Sequence, residues 1–200
     1  NGAHLWGQWW VVTRVFDDGV LPLEAERIWF PDGGGFFSLD TGAALITAPI
    51  RPFVSEIVAF NAHVVLQLGL AVVAGAALAR RLGIPGPSAV VAGLAFAFNA
   101  WVLAFPVGAG VSEALFLWPF PVVAIGALDT LDRPGWRGPA FLVLGLLSAA
   151  VGSPIFAMMA GLGCLGIGAA WLLGQPWRRP GALGGGLGRV AVSAGLLLLA

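Results

Sequence analysis

The sequence contains no lysine, no tyrosine and only one cysteine. Without lysine there can be no Walker A phosphate site and no Schiff-base lysine, and without tyrosine there is no tyrosine general acid. The single cysteine, Cys164, excludes an intrachain disulfide and a cysteine-rich zinc site. Ten arginines balance ten acidic residues, so the chain lacks the basic surface that nucleic-acid binding requires.

Charge is scarce as well. Charged residues make up 10% of the 200-residue chain, whereas soluble domains contain about 25%. Hydrophobic residues reach 58% and the mean hydropathy is +0.91, so a soluble domain of this composition could not cover its surface with polar groups. Nine tryptophans and 13 phenylalanines exclude a disordered chain. We therefore expect an all-α, polytopic transmembrane helix bundle, and we expect the chain to be part of a longer protein.

Residues 1–53 differ from the rest of the chain. They contain six acidic residues and three arginines, a glycine-rich turn at 30–35, and no stretch apolar enough to cross a bilayer. We assign them to a large extracytoplasmic loop. Residues 54–200 then form the transmembrane region, with about five full spans and one truncated span.

The loop opens with a predicted interfacial helix over residues 3–16. Its apolar residues fall on one helical face, namely Leu5, Trp9, Val12 and Phe16. His4 and Gln8 lie away from that face. A tryptophan-rich amphipathic helix of this kind is suited to the membrane–water interface.

Arginine predicts the orientation of the apolar segments. The segments lie at about 54–79, 88–107, 112–131, 139–152, 154–174 and from 187 onward. Arginines occupy alternate connections between them, namely Arg80, Arg81, Arg133, Arg137, Arg178, Arg179 and Arg189. By the positive-inside rule these connections are cytoplasmic, and residues 1–53 lie outside with the connections at 108–111 and 152–154. Pro119 and Pro121 are expected to kink the third segment.

Few polar residues interrupt the spans. Glu56, His63 and Gln67 share one face of the first segment; they either bond to neighbouring helices or carry a proton or substrate. The pattern Gly161-x-Gly163-x-x-Gly166 has the letters of a dinucleotide fingerprint, but it lies within an apolar span, where small residues serve close helix packing.

The polar residues expected on the outer side have structural interpretations, and most of them also have a functional one. Glu113 opens the third segment, where it either complements the helix dipole or points into an outer cavity. Asp40 either caps a helix over 43–48 or belongs to a site. Asp32 fits an Asx turn, and His4 either extends its polar tip to the interface or belongs to a site.

Several short motifs resemble the GT-C superfamily of bacterial membrane glycosyltransferases, in particular its dolichyl-phosphate-mannose-transferase-like and YfhO-like members. The motifs are His4-Leu5-Trp6-Gly7-Gln8-Trp9-Trp10, Gly19-Val20-Leu21-Pro22, Trp29-Phe30-Pro31-Asp32-Gly33-Gly34, Leu39-Asp40, Ala48-Pro49, Asn61, Leu78-Ala79-Arg80-Arg81-Leu82-Gly83, Gly110-x-x-Glu113 and Trp118-Pro119. The resemblance implies transfer of a sugar from a polyprenyl-phosphate donor at the outer face of the bacterial inner membrane.

The resemblance also implies the site. In such enzymes a carboxylate in the first outer loop acts as general base or binds a divalent metal, and its usual place coincides with Asn1 or the residue before it. Asp40 and Glu113, with His4, are the remaining candidates for catalysis. Arg27 or Arg51 would hold the lipid phosphate, and Asp32 and Trp6 would be further substrate contacts. The metal requirement stays open.

Two alternatives to a transferase remain. In a transporter or lipid flippase, Glu56, His63 and Gln67 would line a pathway. The other alternative is a membrane scaffold that carries out no chemistry. An outer cavity built by the N-terminal loop favours the transferase, whereas a polar track across the membrane midplane favours transport.

Overall fold

The computed structural model describes residues 2–20, 24–25, 34–35 and 41–174. Apart from one antiparallel pairing of two-residue strands, β1 (Glu24–Ala25) with β2 (Gly34–Gly35), the regular structure there is helical. The α-helices are α1 (Gly2–Val12), α2 (Thr41–Thr47), α3 (Glu56–Arg81), α4 (Gly86–Ala97), α5 (Ala100–Val102), α6 (Pro119–Asp132), α7 (Arg137–Gly152) and α8 (Pro154–Gly174). The predicted helical fold class is confirmed at this level.

Short turns of other helix types extend these elements. Thr13–Asp17 continues α1 and Leu103–Val107 continues α5 as π-helical turns. Arg51–Phe53 and Ser112–Leu115 form 3-10 turns. The predicted interfacial helix at 3–16 is therefore helical throughout, although its last turn is wider than an α-helix.

Among the described residues, three helices are long and apolar enough to cross a membrane. They are Glu56–Arg81, Gly86–Val107 and Pro154–Leu172. The second of these contains α4, α5 and the π-helical turn that follows α5. These match the first, second and fifth predicted segments, and they support a membrane protein. Arg137–Gly152 is apolar but shorter, as its sequence indicated.

The third predicted segment is not one helix. A 3-10 turn at Ser112–Leu115 ends before α6 begins at Pro119. The predicted interruption is confirmed, but the prediction of a kink within a helix is wrong, because the prolines open α6 instead. Proline lacks a backbone N–H and is tolerated in the first turn of a helix, where that group has no helical acceptor.

The chain divides into two compact units. Unit 1 contains Asn1–Gly69, Phe98–Phe116 and Val151–Ser153, and unit 2 contains Leu70–Ala97, Leu117–Ala150 and Pro154–Ala200. Of the connections without arginine, the one at 108–111 belongs to unit 1, and the one at 152–154 does so except for Pro154, which belongs to unit 2. The arginine connections at 80–81 and 133–137 belong to unit 2. The third arginine connection lies outside the described residues.

Glycines allow the helices of unit 2 to pack closely. A Cβ at Gly126 of α6 would lie 2.7 Å from the Cα of Leu142 on α7, and one at Gly138 would lie 2.8 Å from the Cα of Thr130. In apolar surroundings such close backbone approach is a main source of helix association. At the same end of α6, Asp129 accepts a hydrogen bond from Arg81 at 2.5 Å.

Candidate functional site

The first helix of unit 1 buries its polar face. His4 and Gln8, one turn apart, are 7% and 0% exposed, whereas Phe16 of the predicted apolar face is 57% exposed. The fully buried face of this helix is therefore the one that carries His4 and Gln8, and not the apolar face that contains Phe16. The physical reason is that polar side chains near a bilayer find hydrogen-bond partners inside the protein, while apolar ones can face lipid.

Gln8 connects this helix to the turn that carries Glu113. Its side-chain amide donates a hydrogen bond to the hydroxyl of Ser112 at 3.3 Å, and both residues are fully buried. Ser112 directly precedes Glu113, so residue 113 lies beside α1. His4 occupies the same helical face one turn earlier. The side chain of Glu113 itself is outside the described part of the structure.

Phe116 is the packing centre of this region. It is 2% exposed, and its ring lies 5.7 Å from the ring of His63. Gly42 on α2 and Gly152 also adjoin it: a Cβ at Gly42 would lie 2.9 Å from Phe116 Cε1, and one at Gly152 2.8 Å from Phe116 Cβ. Helix α2 begins one residue after Asp40. Three segments therefore pack together: the one after Asp40, the one around Gln8 and the one that contains Glu113. Asp40 itself lies outside the described residues.

A groove in unit 1 contains one of the predicted phosphate-binding arginines. Its volume is about 460 Å³, and its walls are Trp9, Val12, Thr13, Phe16, Asp17, Ala48, Pro49, Arg51, Pro52 and Glu56. Arg51 forms an ion pair with Glu56 at 2.8 Å, and its side chain is only 8% exposed. Burial lowers the pKa of the Arg51 guanidinium from its usual value, while the charge of Glu56 acts in the opposite direction. The Nε of Arg51 has no hydrogen-bond partner among the described residues.

The other predicted substrate contacts are not brought to this groove. Trp6 stacks on Trp10 with a ring separation of 5.7 Å and an angle of 11°, and it is not among the groove residues. Arg27 and Asp32 lie outside the described residues. Sequence reasoning missed the contributions of Gln8 and Ser112. The spacing of His4 and Gln8, four residues apart, was the available signal for a buried polar face.

Buried polar groups end part-way along α3. His63 is 1% exposed and Gln67 0% exposed, and the Gln67 amide makes no hydrogen bond among the described residues. Beyond Gln67, the buried residues of α3 are Ala71, Ala74, Ala76 and Ala79. The polar face predicted on this helix is therefore confined to its first half.

Within the described ranges there is no cluster of three or more histidine, cysteine, aspartate or glutamate side chains that could hold a metal ion. Comparison with known proteins finds no matching family model, no similar curated protein and no similar solved structure.

Proposed function

We propose that this protein is a membrane glycosyltransferase that transfers a sugar from a polyprenyl-phosphate donor on the extracytoplasmic face of the bacterial inner membrane. The groove around Arg51 is the observation that supports this proposal. A polyprenyl-phosphate sugar is an amphiphile with an anionic centre, so its binding site needs a cation next to apolar walls. Trp9, Phe16 and Arg51 offer this combination.

Arg51 retains capacity for a phosphate. A guanidinium has five N–H donors, and the ion pair to Glu56 uses one nitrogen, NH2, at 2.8 Å. The buried Nε is without a partner among the described residues. Arginine binds phosphate oxygens through two parallel hydrogen bonds, and a phosphate at this place would supply the missing acceptors.

The transfer step would rely on Asp40 or Glu113. A carboxylate takes the proton of an acceptor hydroxyl as its oxygen bonds to the anomeric carbon, and the bond from that carbon to the donor phosphate breaks, so that polyprenyl phosphate leaves. The packing of α2 against Phe116 and of Ser112 against Gln8 brings the neighbours of both acids into one region. His4, on the same buried face as Gln8, is the remaining candidate there.

The transport alternative has less support. A pathway for a polar solute needs polar side chains along the whole span. On α3 the buried polar residues stop at Gln67, and only alanines are buried from there to the end of the helix. The buried polar residues of α3 instead belong to the unit that holds the groove.

The donor-binding part of the proposal is tested with Arg51→Gln in the full-length protein reconstituted in vesicles. Loss of a hydrogen bond to a charged group should raise the donor KM by a factor of about 10 to 100. Arg14→Gln is the matched control, because Arg14 pairs with Asp18 at 2.8 Å and lies outside the groove lining. Equal KM values for both variants would contradict donor binding at Arg51.

The catalytic part is tested with Asp40→Asn and Glu113→Gln, which keep the side-chain shape and remove the charge. Loss of the general base should lower donor consumption by about 10²- to 10⁴-fold in one of them, without a matching loss of folded protein in the membrane. Undiminished sugar transfer in both variants would overturn the assignment of the catalytic acid.

A further inference from the structure

Unit 2 contains an apolar cavity that the proposed function does not use. Its volume is about 360 Å³. The walls come from α6, α7 and α8 and include Ala127, Leu142, Cys164, Gly168 and Trp171. Thr130 is the hydroxyl-bearing residue of the lining, and its hydroxyl donates to the carbonyl of Gly126 at 2.7 Å. The cavity therefore offers little to a polar ligand, and apolar cavities exclude water.

The cavity adjoins an arginine-rich end of unit 2. Its lining includes Leu131, two residues before Arg133. The first turn of α7, with Arg137, packs directly on the last turn of α6, because a Cβ at Gly138 would lie 2.8 Å from the Cα of Thr130. A ligand chain in the cavity would thus have its other end beside these two arginines.

Positive charge is in excess at this end. Four arginines meet two aspartates there: Arg80, Arg81, Arg133 and Arg137 against Asp129 and Asp132. Both aspartates are already held by Arg81, at 2.5 and 2.8 Å. Arg133 approaches Asp129 only to 3.6 Å and is 61% exposed. Arg137 forms no ion pair among the described residues and lies over the Phe141 ring at 5.5 Å.

An exposed tryptophan marks the same end. Trp136, between the two arginines, is 80% exposed. Tryptophan is enriched at the depth of lipid headgroups, where its ring is partly in an apolar and partly in a polar environment. The α6–α7 connection therefore has the composition of a segment at the membrane–water interface, with an apolar cavity directly behind it.

From these observations we propose that unit 2 binds one anionic phospholipid, with an acyl chain in the cavity and the phosphate at Arg133 and Arg137. The apolar walls select a hydrocarbon chain. The excess of arginine over aspartate at this end selects a negatively charged headgroup, since a basic residue near the membrane surface attracts anionic lipid. This site is independent of the groove around Arg51, so either proposal can fail without the other.

Native mass spectrometry of the purified protein with phosphatidylglycerol and phosphatidylcholine tests the site. We expect one phosphatidylglycerol to be retained in preference to phosphatidylcholine. Gly168→Phe should fill the cavity and weaken binding at least about tenfold, because displacing two methylene groups is sufficient for that. Gly161→Phe is the control: both glycines have open space at the Cβ position, but only Gly168 lines the cavity.

Replacing Arg133 and Arg137 by glutamine tests the headgroup assignment. The preference for phosphatidylglycerol should fall by about fivefold per arginine, while retention of neutral lipid is unchanged. An unchanged preference would overturn the assignment, and equal lipid retention in Gly168→Phe and Gly161→Phe would overturn the cavity as the acyl-chain site.

The wild-type protein supplies a second measurement. Cys164 is the only cysteine of the chain and lines the cavity. Phosphatidylglycerol should slow its alkylation by a small maleimide in detergent in a saturable manner, and phosphatidylcholine at the same concentration should slow it less. An alkylation rate that does not respond to either lipid would overturn the proposal without reference to any variant.

Discussion

Gly126→Ala should loosen the contact between α6 and α7. A Cβ at this position would lie 2.7 Å from the Cα of Leu142 and 2.8 Å from the carbonyl carbon of Phe141. These are backbone atoms, so no side-chain rotation can relieve the contact. Because non-bonded carbons are most favourably about 3.5 to 4.0 Å apart, the two helices would have to separate by about 1 Å at this crossing.

The expected cost follows from two opposing effects. Overpacking costs about 1–3 kcal/mol, while alanine favours the helix over glycine by about 1 kcal/mol, so the variant should lose up to about 2 kcal/mol of stability. Gly161→Ala has the same effect on helix propensity, but no atom lies within 4 Å of its Cβ position. This control should therefore gain up to about 1 kcal/mol.

Unfolding of both variants in mixed detergent micelles, with increasing sodium dodecyl sulfate, measures the difference. The two substitutions should shift the midpoint in opposite directions. If Gly126→Ala stabilises the protein as much as Gly161→Ala does, α6 and α7 do not approach as closely as the structure shows, and the argument from glycine packing fails.

Two further predictions concern topology and charge. In a cysteine-free background, Gly33→Cys should react with a membrane-impermeant maleimide on intact cells and Pro134→Cys should not; the reverse result would refute the arginine-based orientation. Asp129→Asn should cost about 2 kcal/mol, because Asp129 is 6% exposed and pairs with Arg81, whereas Asp132→Asn, at a 43% exposed carboxylate, should cost less than about 1 kcal/mol in the same unfolding assay.

The helical class and the three long apolar helices could be predicted because they follow from composition and length. A run of about 20 apolar residues has few other stable structures. The start of α6 was harder to predict. Pro119 and Pro121 show that the regular helix is interrupted, but whether a proline bends a helix or begins one depends on the residues before it, and Ser112–Leu115 adopts a 3-10 turn.

The buried face of α1 could not be predicted by the rule of hydrophobic periodicity. That rule assumes that apolar residues point to a protein core and polar ones to water. Leu5, Trp9 and Phe16 form a continuous apolar face in the sequence, yet the fully buried positions are Gln8 and Val11. At a membrane the surroundings of a helix are themselves apolar, so periodicity identifies two faces without deciding which of them packs on the protein.

Only part of the candidate site could be predicted, because several of its contacts join residues far apart in the sequence. Arg51 was a candidate only because the resemblance to membrane glycosyltransferases implies a cation for the lipid phosphate, and the structure places it in a groove with Glu56. The hydrogen bond between Gln8 and Ser112 joins residues 104 positions apart, and no local pattern in a single sequence indicates such a pairing. Packing of Phe116 on two glycines is equally non-local.

The course of α3 connects these observations to function. A buried polar group without hydrogen bonds destabilises a protein, so Gln67, fully buried and without a hydrogen bond among the described residues, is unfavourable for stability alone. The second half of the same helix packs without buried polar groups. Its buried positions are alanines, and Gly75 there comes close to Gly93 and Phe96. Polar burial is therefore not a requirement of a helix of this kind. On α3, buried polar side chains are thus confined to the half that belongs to unit 1, the unit that also holds the groove around Arg51.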